Sequence, residues 1–382
     1  MRVLLLGKNG QVGQALQRAL APLGEVIALD RQALVLAEVL GELRARLDGG
    51  ASAWSELVEG LARTDKDVCA SATAQTSARP EQDKARPLVC GNLADLAALS
   101  QTIRLLRPEV IVNAAAYTAV DKAESEPAQA RLINALAPEV LAREAEALGA
   151  WLVHYSTDYV FDGSGDVPWT ETDATGPLNV YGQTKLEGEL LVQAACARHL
   201  IFRTSWVYAA QGSNFAKTML KLAQERERLT VIDDQWGAPT GAELIASVTA
   251  SAIEQVMARA GDAGDKVHGP GEAKPLQKVK TVSAAGDSLA GIYHLVAAGQ
   301  TSWHRYATHV IEQARALRPD LPWAVKEIAP VPSTAFVTAA RRPHNSRLST
   351  QKLQASFGLV LPPWQQGLDQ MLTETLLTKK TP

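Results

Sequence analysis

Short apolar runs alternate with helical stretches at the start of the chain. Arg2–Leu6 and Glu25–Leu29 have the composition of buried strands, and residues 11–20 between them have helical periodicity. Glycines at positions 7, 10 and 13 separate the first strand from the helix, and Asp30 closes the second strand. This order predicts one right-handed βαβ unit.

The same alternation returns between residues 93 and 157. A helical stretch from about 93 to 106 precedes an apolar strand at 110–112, and a helix from about 127 to 148 precedes a strand at 151–155. Ligands of doubly wound sheets bind at the carboxyl ends of the strands. We therefore expect Gly7, Asp30, Ala114 and Thr157, which follow predicted strands, to lie near a ligand.

The pattern predicts an α/β protein, a Rossmann-like doubly wound parallel sheet with a smaller C-terminal substrate-binding lobe. Residues 31–87 and 261–286 interrupt the rhythm, and we interpret both as surface insertions, the first beginning with a helical segment at 33–47. The expected NAD(P)-binding domain spans 1–200 with a return segment at about 230–260, and the expected lobe comprises 201–229 and 287–382.

The composition of the chain argues against nucleic-acid and membrane partners. Lys and Arg together number 38 against 41 Asp and Glu, so we expect no nucleic-acid partner. The three cysteines form no Cys-x-x-Cys pair, and no apolar run has the length of a signal or membrane segment. These features favour a cytoplasmic protein without a membrane partner.

The glycine loop, residues Gly7 to Gly13, carries the first candidate site. Glycines between a strand and a helix permit a tight turn and close approach to a pyrophosphate, which the helix N-terminus attracts. Asp30 suits the hydroxyls of an adenosine ribose, whereas Arg31 suits a 2′-phosphate, so both NADH and NADPH stay open. Asp30 could alternatively only close a turn.

Tyr181 and Lys185 are four residues apart, which places them on one face of a helix. A nearby cation favours the phenolate and brings a tyrosine closer to the pH at which it exchanges a proton. An exposed Tyr and Lys at this spacing could instead be a solvated pair. Thr157, at the end of the preceding strand, is the expected third member of a catalytic set.

These motifs together resemble the extended branch of the short-chain dehydrogenase/reductase superfamily, and longer strings are similar to the dTDP-4-dehydrorhamnose reductase family. The strings are VNAAAYTAVDKAE (112–124), STDYVFDG (156–163), PLNVYG (177–182), RTSWVY (203–208), DQWGAPT (234–240), GIYHL (291–295), TSWH (301–304) and RPHNSRL (342–348). The resemblance covers nearly the whole chain outside the two expected insertions.

The resemblance implies hydride transfer from NADPH or NADH to C4 of dTDP-4-dehydro-L-rhamnose, with Tyr181 as proton donor. Lys185 would lower the pKa of Tyr181 and orient the nicotinamide ribose, and Thr157 would hydrogen-bond beside them. The implied contacts are Gly10, Gln11 and Val12 with the pyrophosphate, Ala115, Ala116 and Tyr117 with the centre of the cofactor, and Thr157, Asp158 and Trp206 with the sugar nucleotide.

The chain departs from the family pattern at two places. The family usually has Cys-Gly-Asp and an apolar residue beside the adenine, whereas this chain has Asn92 and Leu93 after Cys-Gly. Some members form dimers around Mg²⁺ through a glutamate after the glycine loop, where this chain has Gln14 and Ala15. We therefore predict no metal ligands, and the missing glutamate argues against a dimer bridged by Mg²⁺. Both a monomer and a homodimer stay open.

Three alternatives remain at this stage. Trp206 could be a core aromatic residue, because residues 201–207 are strand-like. A related sugar-nucleotide epimerase or dehydratase would share the motifs, although a dehydratase would have an acidic residue where Tyr159 follows Asp158. A non-catalytic regulatory subunit is the third alternative, against which the complete set of Thr157, Tyr181 and Lys185 argues.

Overall fold

A central parallel sheet of six strands organises the protein. We analysed a computed structural model, which describes residues 1–35, 88–264 and 289–377. All neighbouring strands of this sheet run parallel, from one edge to the other in the order Gly291–His294, His199–Thr204, Trp151–Thr157, Val110–Asn113, Arg2–Leu6 and Glu25–Leu29. The predicted doubly wound α/β fold is confirmed.

The chain reverses its direction across the sheet between Arg2–Leu6 and Val110–Asn113. The first unit adds Glu25–Leu29 on one side of the starting strand, and the later strands are added on the other side. A doubly wound sheet opens a crevice at the carboxyl ends of its strands where the order reverses. Gly7 and Ala114 follow the two strands at this point.

Helices cover both faces of the sheet because the strands are apolar on both sides. One apolar cluster joins the sheet to helices Gln11–Leu20, Ala242–Gly264 and Gln351–Phe357. The other joins it to helices Leu96–Leu106, Ala137–Leu148 and Val180–Ala195. The strands at the centre of the sheet are therefore fully enclosed, as Leu4, Leu5 and Ile111 show.

A second apolar core lies in the C-terminal part of the chain. It is built from helices Phe215–Glu225, Trp303–Leu317 and Trp364–Leu377 with strand Arg228–Ile232, which pairs in parallel with Glu327–Val331. Short strands complete the connections: Val207–Tyr208, Trp236–Gly237, Thr240–Gly241 and Thr301–Ser302. This core forms the smaller lobe of the predicted fold.

The structure differs from the sequence prediction in three elements. Ala33–Val35 is a strand paired antiparallel with Leu88–Cys90, so the predicted helix at 33–47 is wrong at its start. The predicted helix at 127–148 is divided into Pro127–Arg131, a π-helical turn Leu132–Leu136 and Ala137–Leu148, and a short helix, Val120–Ala123, precedes it. Residues 261–264 of the second expected insertion continue helix Ala242–Gly264, and the remainder of the two insertions, 36–87 and 265–286, lies outside the described residues.

One observation bears on the predicted division into domains. Gly291–His294, which the sequence assigns to the C-terminal lobe, is an edge strand of the central sheet. Its apolar residues extend the sheet beyond His199–Thr204, and Tyr293 packs into the core around the sheet. The boundaries given above for the two domains stay a prediction.

Candidate active site

The glycine loop is packed too tightly for side chains at two of its three glycines. Gly7 has a positive φ of 86°, and a Cβ there would be 2.8 Å from the Ala115 nitrogen. A Cβ at Gly13 would be 2.0 Å from the Gly7 carbonyl oxygen. Helix Gln11–Leu20 begins after Gly10 with no side-chain cap, which leaves its first N–H groups available to an anion.

Asp30 lies beside the glycine loop at the end of Glu25–Leu29. Its carboxylate accepts hydrogen bonds from Asn9 Nδ2 at 2.7 Å and from the Gln32 N–H at 2.9 Å, and Lys8 Nζ is 3.9 Å away. Arg31 is exposed next to it. The structure thus brings both candidates for recognising the adenosine ribose to the same edge of the loop.

Asn92 and Leu93 follow the short strand Leu88–Cys90 on this side of the sheet. The Gly91 N–H donates to the Asp30 carbonyl at 2.9 Å, and a Cβ at Gly91 would be 2.7 Å from that oxygen. Leu93 is buried, whereas Asn92 is partly exposed and accepts from the Ala94 N–H. The residues expected on the adenine side therefore lie next to Asp30.

Residues 115–117 leave the carboxyl end of Val110–Asn113 opposite the glycine loop. Ala116 is exposed, and Ala115 and Tyr117 are partly exposed. Asn134 fixes this segment, because its Oδ1 accepts from the Tyr117 N–H at 2.8 Å and its Nδ2 donates to the Tyr117 carbonyl at 3.1 Å. The segment expected at the centre of the cofactor thus faces the crevice from a defined position.

Helix Val180–Ala195, the Tyr–Lys helix, carries both predicted catalytic side chains. Asn179 caps it by accepting from the Gly182 N–H at 2.8 Å. Two glycines let the helix approach its neighbours, since a Cβ at Gly182 would be 2.2 Å from the Tyr159 oxygen and one at Gly188 would be 2.1 Å from the Asn134 oxygen. These close contacts fix the position of the Tyr–Lys helix against its neighbours, and with it the positions of Tyr181 and Lys185.

Thr157, Asp158 and Tyr181 form one cluster at the end of Trp151–Thr157. The Thr157 hydroxyl donates to Asp158 Oδ1 at 3.0 Å, and its side chain also hydrogen-bonds to Tyr181. Burial raises the pKa of Tyr181 to about 12, the Thr157 hydrogen bond opposes this rise, and the Asp158 charge adds to it. The phenol therefore keeps its proton at neutral pH, as a proton donor must.

Asp158 is buried within this cluster. Burial raises its pKa to about 6, and the neighbouring Ser346 and Thr157 side chains act in the opposite direction. Ser346 lies in the C-terminal part of the chain, so the cluster joins residues from both parts of the fold. The carboxylate lies where the sequence predicts contact with the sugar nucleotide.

Lys185 is 1% exposed, and its Nζ is 2.5 Å from the Tyr155 carbonyl oxygen and 3.1 Å from His154 Nε2. Burial lowers the pKa of Lys185 to about 8, against the opposing effect of Glu189. The lowering of the Tyr181 pKa that we expected from Lys185 is not found in this arrangement, because the amine is turned toward Tyr155 and His154.

Trp206 has a positive φ of 49° and stacks on Trp303 with ring centroids 3.7 Å apart. A Cβ at Gly237 would be 2.8 Å from the indole, so the ring is held from both sides. The side chain is only partly buried. Trp206 thus packs against the apolar core of the lobe and keeps part of its side chain exposed, a geometry that fits both interpretations of it.

Comparisons with known proteins bear directly on this site. A model of the RmlD substrate binding domain family matches residues 1–273 and 265–377. The chain belongs to this family. A dTDP-4-dehydrorhamnose reductase of Shigella flexneri is 48% identical over 378 residues, and one of Escherichia coli K12 is 47% identical over the same length, each alignment covering 99% of both chains.

A solved structure extends the similarity to three dimensions. The crystal structure of dTDP-4-dehydrorhamnose reductase from Bacillus anthracis in complex with NADP has a TM-score of 0.67 and 27% identity to this chain. The match covers 98% of this chain and 99% of that one. Family membership and fold are therefore shown over the whole length that the structure describes.

The structure places further family residues at the site that sequence reasoning did not select. Arg342 donates to Asp121 Oδ2 at 2.6 Å and lies beside Tyr159, whose ring packs edge-on against Tyr181 with centroids 5.6 Å apart. The Ala340 N–H also donates to Asp121 at 3.1 Å. The strings VNAAAYTAVDKAE and RPHNSRL contain the two partners of this contact, but they indicated similarity and not that the partners meet.

The described part of the chain lacks two features that would change the class of site. Within residues 1–35, 88–264 and 289–377, no group of three or more His, Cys, Asp or Glu side chains is arranged to hold a metal ion. No helix in the same ranges is long and apolar enough to cross a membrane.

Proposed function

We propose that the protein reduces dTDP-4-dehydro-β-L-rhamnose to dTDP-β-L-rhamnose, the last step of dTDP-L-rhamnose formation, and so acts as a dTDP-4-dehydrorhamnose reductase. The observation that carries the proposal is the clustering of Thr157, Asp158 and Tyr181 at the crevice of a chain 48% identical to a reductase of that name over its whole length. Lys185 lies one helical turn from Tyr181.

The residues at the crevice fit a dinucleotide. Gly7 and Gly13 have no room for a Cβ, and the uncapped start of helix Gln11–Leu20 offers N–H groups to a pyrophosphate. We assign Gly10, Gln11 and Val12 to this group, Asp30, Arg31, Asn92 and Leu93 to the adenosine end, and Ala115, Ala116 and Tyr117 to the centre. When bound, reduced nicotinamide supplies the hydride for reduction of the C4 carbonyl.

The proposed roles of the chain's own residues follow from their protonation. Tyr181 holds its proton, since burial raises its pKa to about 12, and it donates that proton to the C4 oxygen as negative charge develops there. Thr157 orients the phenol and hydrogen-bonds near the same oxygen. Asp158 and Trp206 line the sugar-nucleotide side and hold the substrate at the phenol.

The adenosine end is compatible with both forms of the cofactor. The Asp30 carboxylate already has partners in Asn9 and Gln32, and Arg31 is exposed beside it, where it could pair with a 2′-phosphate. The Bacillus anthracis relative is solved with NADP. We therefore propose NADPH or NADH, to be distinguished by assay, and propose no metal requirement.

The related alternatives carry less support. A sugar-nucleotide epimerase or dehydratase would share the fold, but the full-length relatives are named as reductases and Tyr159 occupies the position of a dehydratase acid. A regulatory subunit would have no need of the Thr157, Asp158 and Tyr181 cluster. A monomer or homodimer in the cytoplasm, without nucleic-acid partners, stays a prediction.

The test is a direct assay of reduction. Enzymatically generated dTDP-4-dehydrorhamnose is mixed with the protein and NADPH or NADH, absorbance of the reduced cofactor is followed, and the sugar product is identified. In Tyr181→Phe, which removes the acid and keeps the ring, turnover should fall on the order of 10²-fold with cofactor affinity nearly unchanged.

A matched control is Tyr293→Phe, because the Tyr293 hydroxyl donates to the Leu289 carbonyl at 2.9 Å in the core by the edge strand. This variant should turn over substrate as the parent protein does. No reduction by the parent protein, or equal turnover by Tyr181→Phe, would contradict the proposal.

A further inference from the structure

A chain of buried hydrogen bonds leads from the backbone to Lys185. Asn113 Oδ1 accepts from the Ala115 N–H at 3.2 Å. A backbone N–H can only donate, so this bond fixes which end of the Asn113 amide faces Ala115. The other end, Nδ2, therefore points to His154 Nδ1 at 3.1 Å and donates to it.

The orientation of Asn113 in turn decides the tautomer of His154. Burial lowers the pKa of His154 well below its ordinary value, and a charge on Lys185 would lower it further, so the imidazole is neutral whichever form Lys185 takes. A neutral imidazole has one donor and one acceptor nitrogen. Because Nδ1 accepts from Asn113, Nε2 carries the hydrogen and donates to Lys185 Nζ at 3.1 Å.

A donor at Nε2 requires a lone pair on Lys185 Nζ. An ammonium group has none, so a charged Lys185 would set two donors against each other at 3.1 Å. The opposite tautomer would move the conflict to Nδ1, which would then face Asn113 Nδ2. A neutral amine accepts from His154 and still donates to the Tyr155 carbonyl at 2.5 Å.

We propose that His154 is a positioning residue for Lys185, which it holds as a neutral amine at the Tyr155 carbonyl in the free protein at alkaline pH. The charged form that acts on Tyr181 and the cofactor ribose then arises when Lys185 takes up a proton at lower pH and gives up the hydrogen bond from His154. The significance for catalysis rests on the proposed function, whereas the tautomer and the charge state can be measured without it.

Other groups that face Lys185 do not replace His154 in this role. Glu189, one turn further along the Tyr–Lys helix, favours the ammonium, but its carboxylate is bound by Arg203 from His199–Thr204 at 2.6 and 2.9 Å. From Trp151–Thr157 the facing titratable group is His154, since the Tyr155 phenol bonds to Thr249 of Ala242–Gly264 on the opposite face of the sheet, and on its own helix Tyr181 is one turn away. His154 is the one among them that contacts Nζ with a side-chain atom.

The first measurement uses the cofactor-free protein. Long-range ¹H–¹⁵N correlation of ¹⁵N-histidine-labelled protein gives the tautomer of His154, and ¹³Cε-lysine labelling gives the pKa of Lys185, its signal assigned by loss in Lys185→Arg. At pH 9 we expect the Nε2–H tautomer, and we expect Lys185 to lose its proton with a pKa near 8. The Nδ1–H tautomer would overturn the proposal without any His154 variant being made.

The second measurement compares His154→Gln with His199→Gln. The glutamine oxygen can accept from an ammonium group, so the pKa of Lys185 should rise by about 1 or more in His154→Gln. His199, whose ring contacts the Cys196 carbonyl at the far end of the neighbouring strand, should leave it unchanged. An unchanged or lowered Lys185 pKa in a folded His154→Gln protein would overturn the proposal.

The third measurement is the pH dependence of reduction. If ammonium is the active form, the alkaline limb of kcat/KM should move to higher pH by the same amount in His154→Gln. A purely structural role would lower activity evenly and leave the limb in place, which would count against the proposal. Absence of any reduction in the parent protein would refute the proposed function while leaving the tautomer result intact.

Discussion

The buried carboxylate of Asp158 should make the protein less stable at neutral pH than its Asn variant. The pKa of this group rises from an ordinary 3.8 to about 6 in the folded protein because the side chain is buried. At about 1.4 kcal/mol for each pKa unit, ionising Asp158 costs the folded state about 3 kcal/mol.

The sign follows from proton binding. Between pH 3.8 and about 6 the folded protein binds the Asp158 proton and the unfolded chain does not. This contribution to stability is therefore complete below pH 3.8 and is lost as the pH rises through 6. Asp158→Asn keeps an oxygen that can accept from Thr157 and never ionises, so the variant should be more stable by about 2–3 kcal/mol at pH 8.

The measurement is equilibrium unfolding of both proteins in urea at pH 8 and pH 4.5. The difference between their free energies of unfolding reports on Asp158, because the other carboxylates are common to both proteins and cancel. The advantage of Asp158→Asn should shrink by about 2 kcal/mol at pH 4.5. Asp162→Asn is the control with the opposite sign, since the Ser164 N–H lowers the pKa of that exposed carboxylate. A difference that does not change with pH, or a less stable variant at pH 8, would refute the reasoning.

Two further substitutions test the loop and the buried ion pair. In Gly13→Ala the new Cβ would be 2.0 Å from the Gly7 oxygen, so the affinity for NADPH, measured by calorimetry, should fall about tenfold or more. Equal affinity would contradict the tight packing of the glycine loop. Glu189→Gln leaves Arg203 buried without its carboxylate and should lower the free energy of unfolding by about 3–5 kcal/mol. Glu187→Gln, in an exposed pair, should lower it by less than about 1 kcal/mol, and equal losses would contradict this explanation.

The parts of the site that were predictable from sequence depend on local spacing. The glycine loop is bounded by a strand and a helix within twenty residues, and Tyr181 and Lys185 share a helix face because of their separation alone. Thr157 was predictable from its place at the end of an apolar run, since the ends of parallel strands meet at one edge.

The parts that were missed depend on contacts between distant segments. Arg342 and Asp121 are 221 positions apart, and their pairing depends on how the C-terminal segment crosses the crevice. His154 lay inside a strand whose apolar neighbours predict only burial, and its link to Lys185 depends on the angle at which the Tyr–Lys helix packs. The strand Ala33–Val35 was read as helix because its partner, Leu88–Cys90, is more than fifty residues away.

The position of Gly291–His294 at the edge of the central sheet has a consequence for synthesis of the chain. Until this strand leaves the ribosome, His199–Thr204 has one unpaired edge, because among the described strands its only other neighbour in the sheet is Trp151–Thr157. At about 5–20 residues per second, that edge stays open for roughly 5–20 s after it is made. An open, apolar strand edge is a template for pairing with other chains, so nascent protein halted before residue 291 should aggregate or require a chaperone.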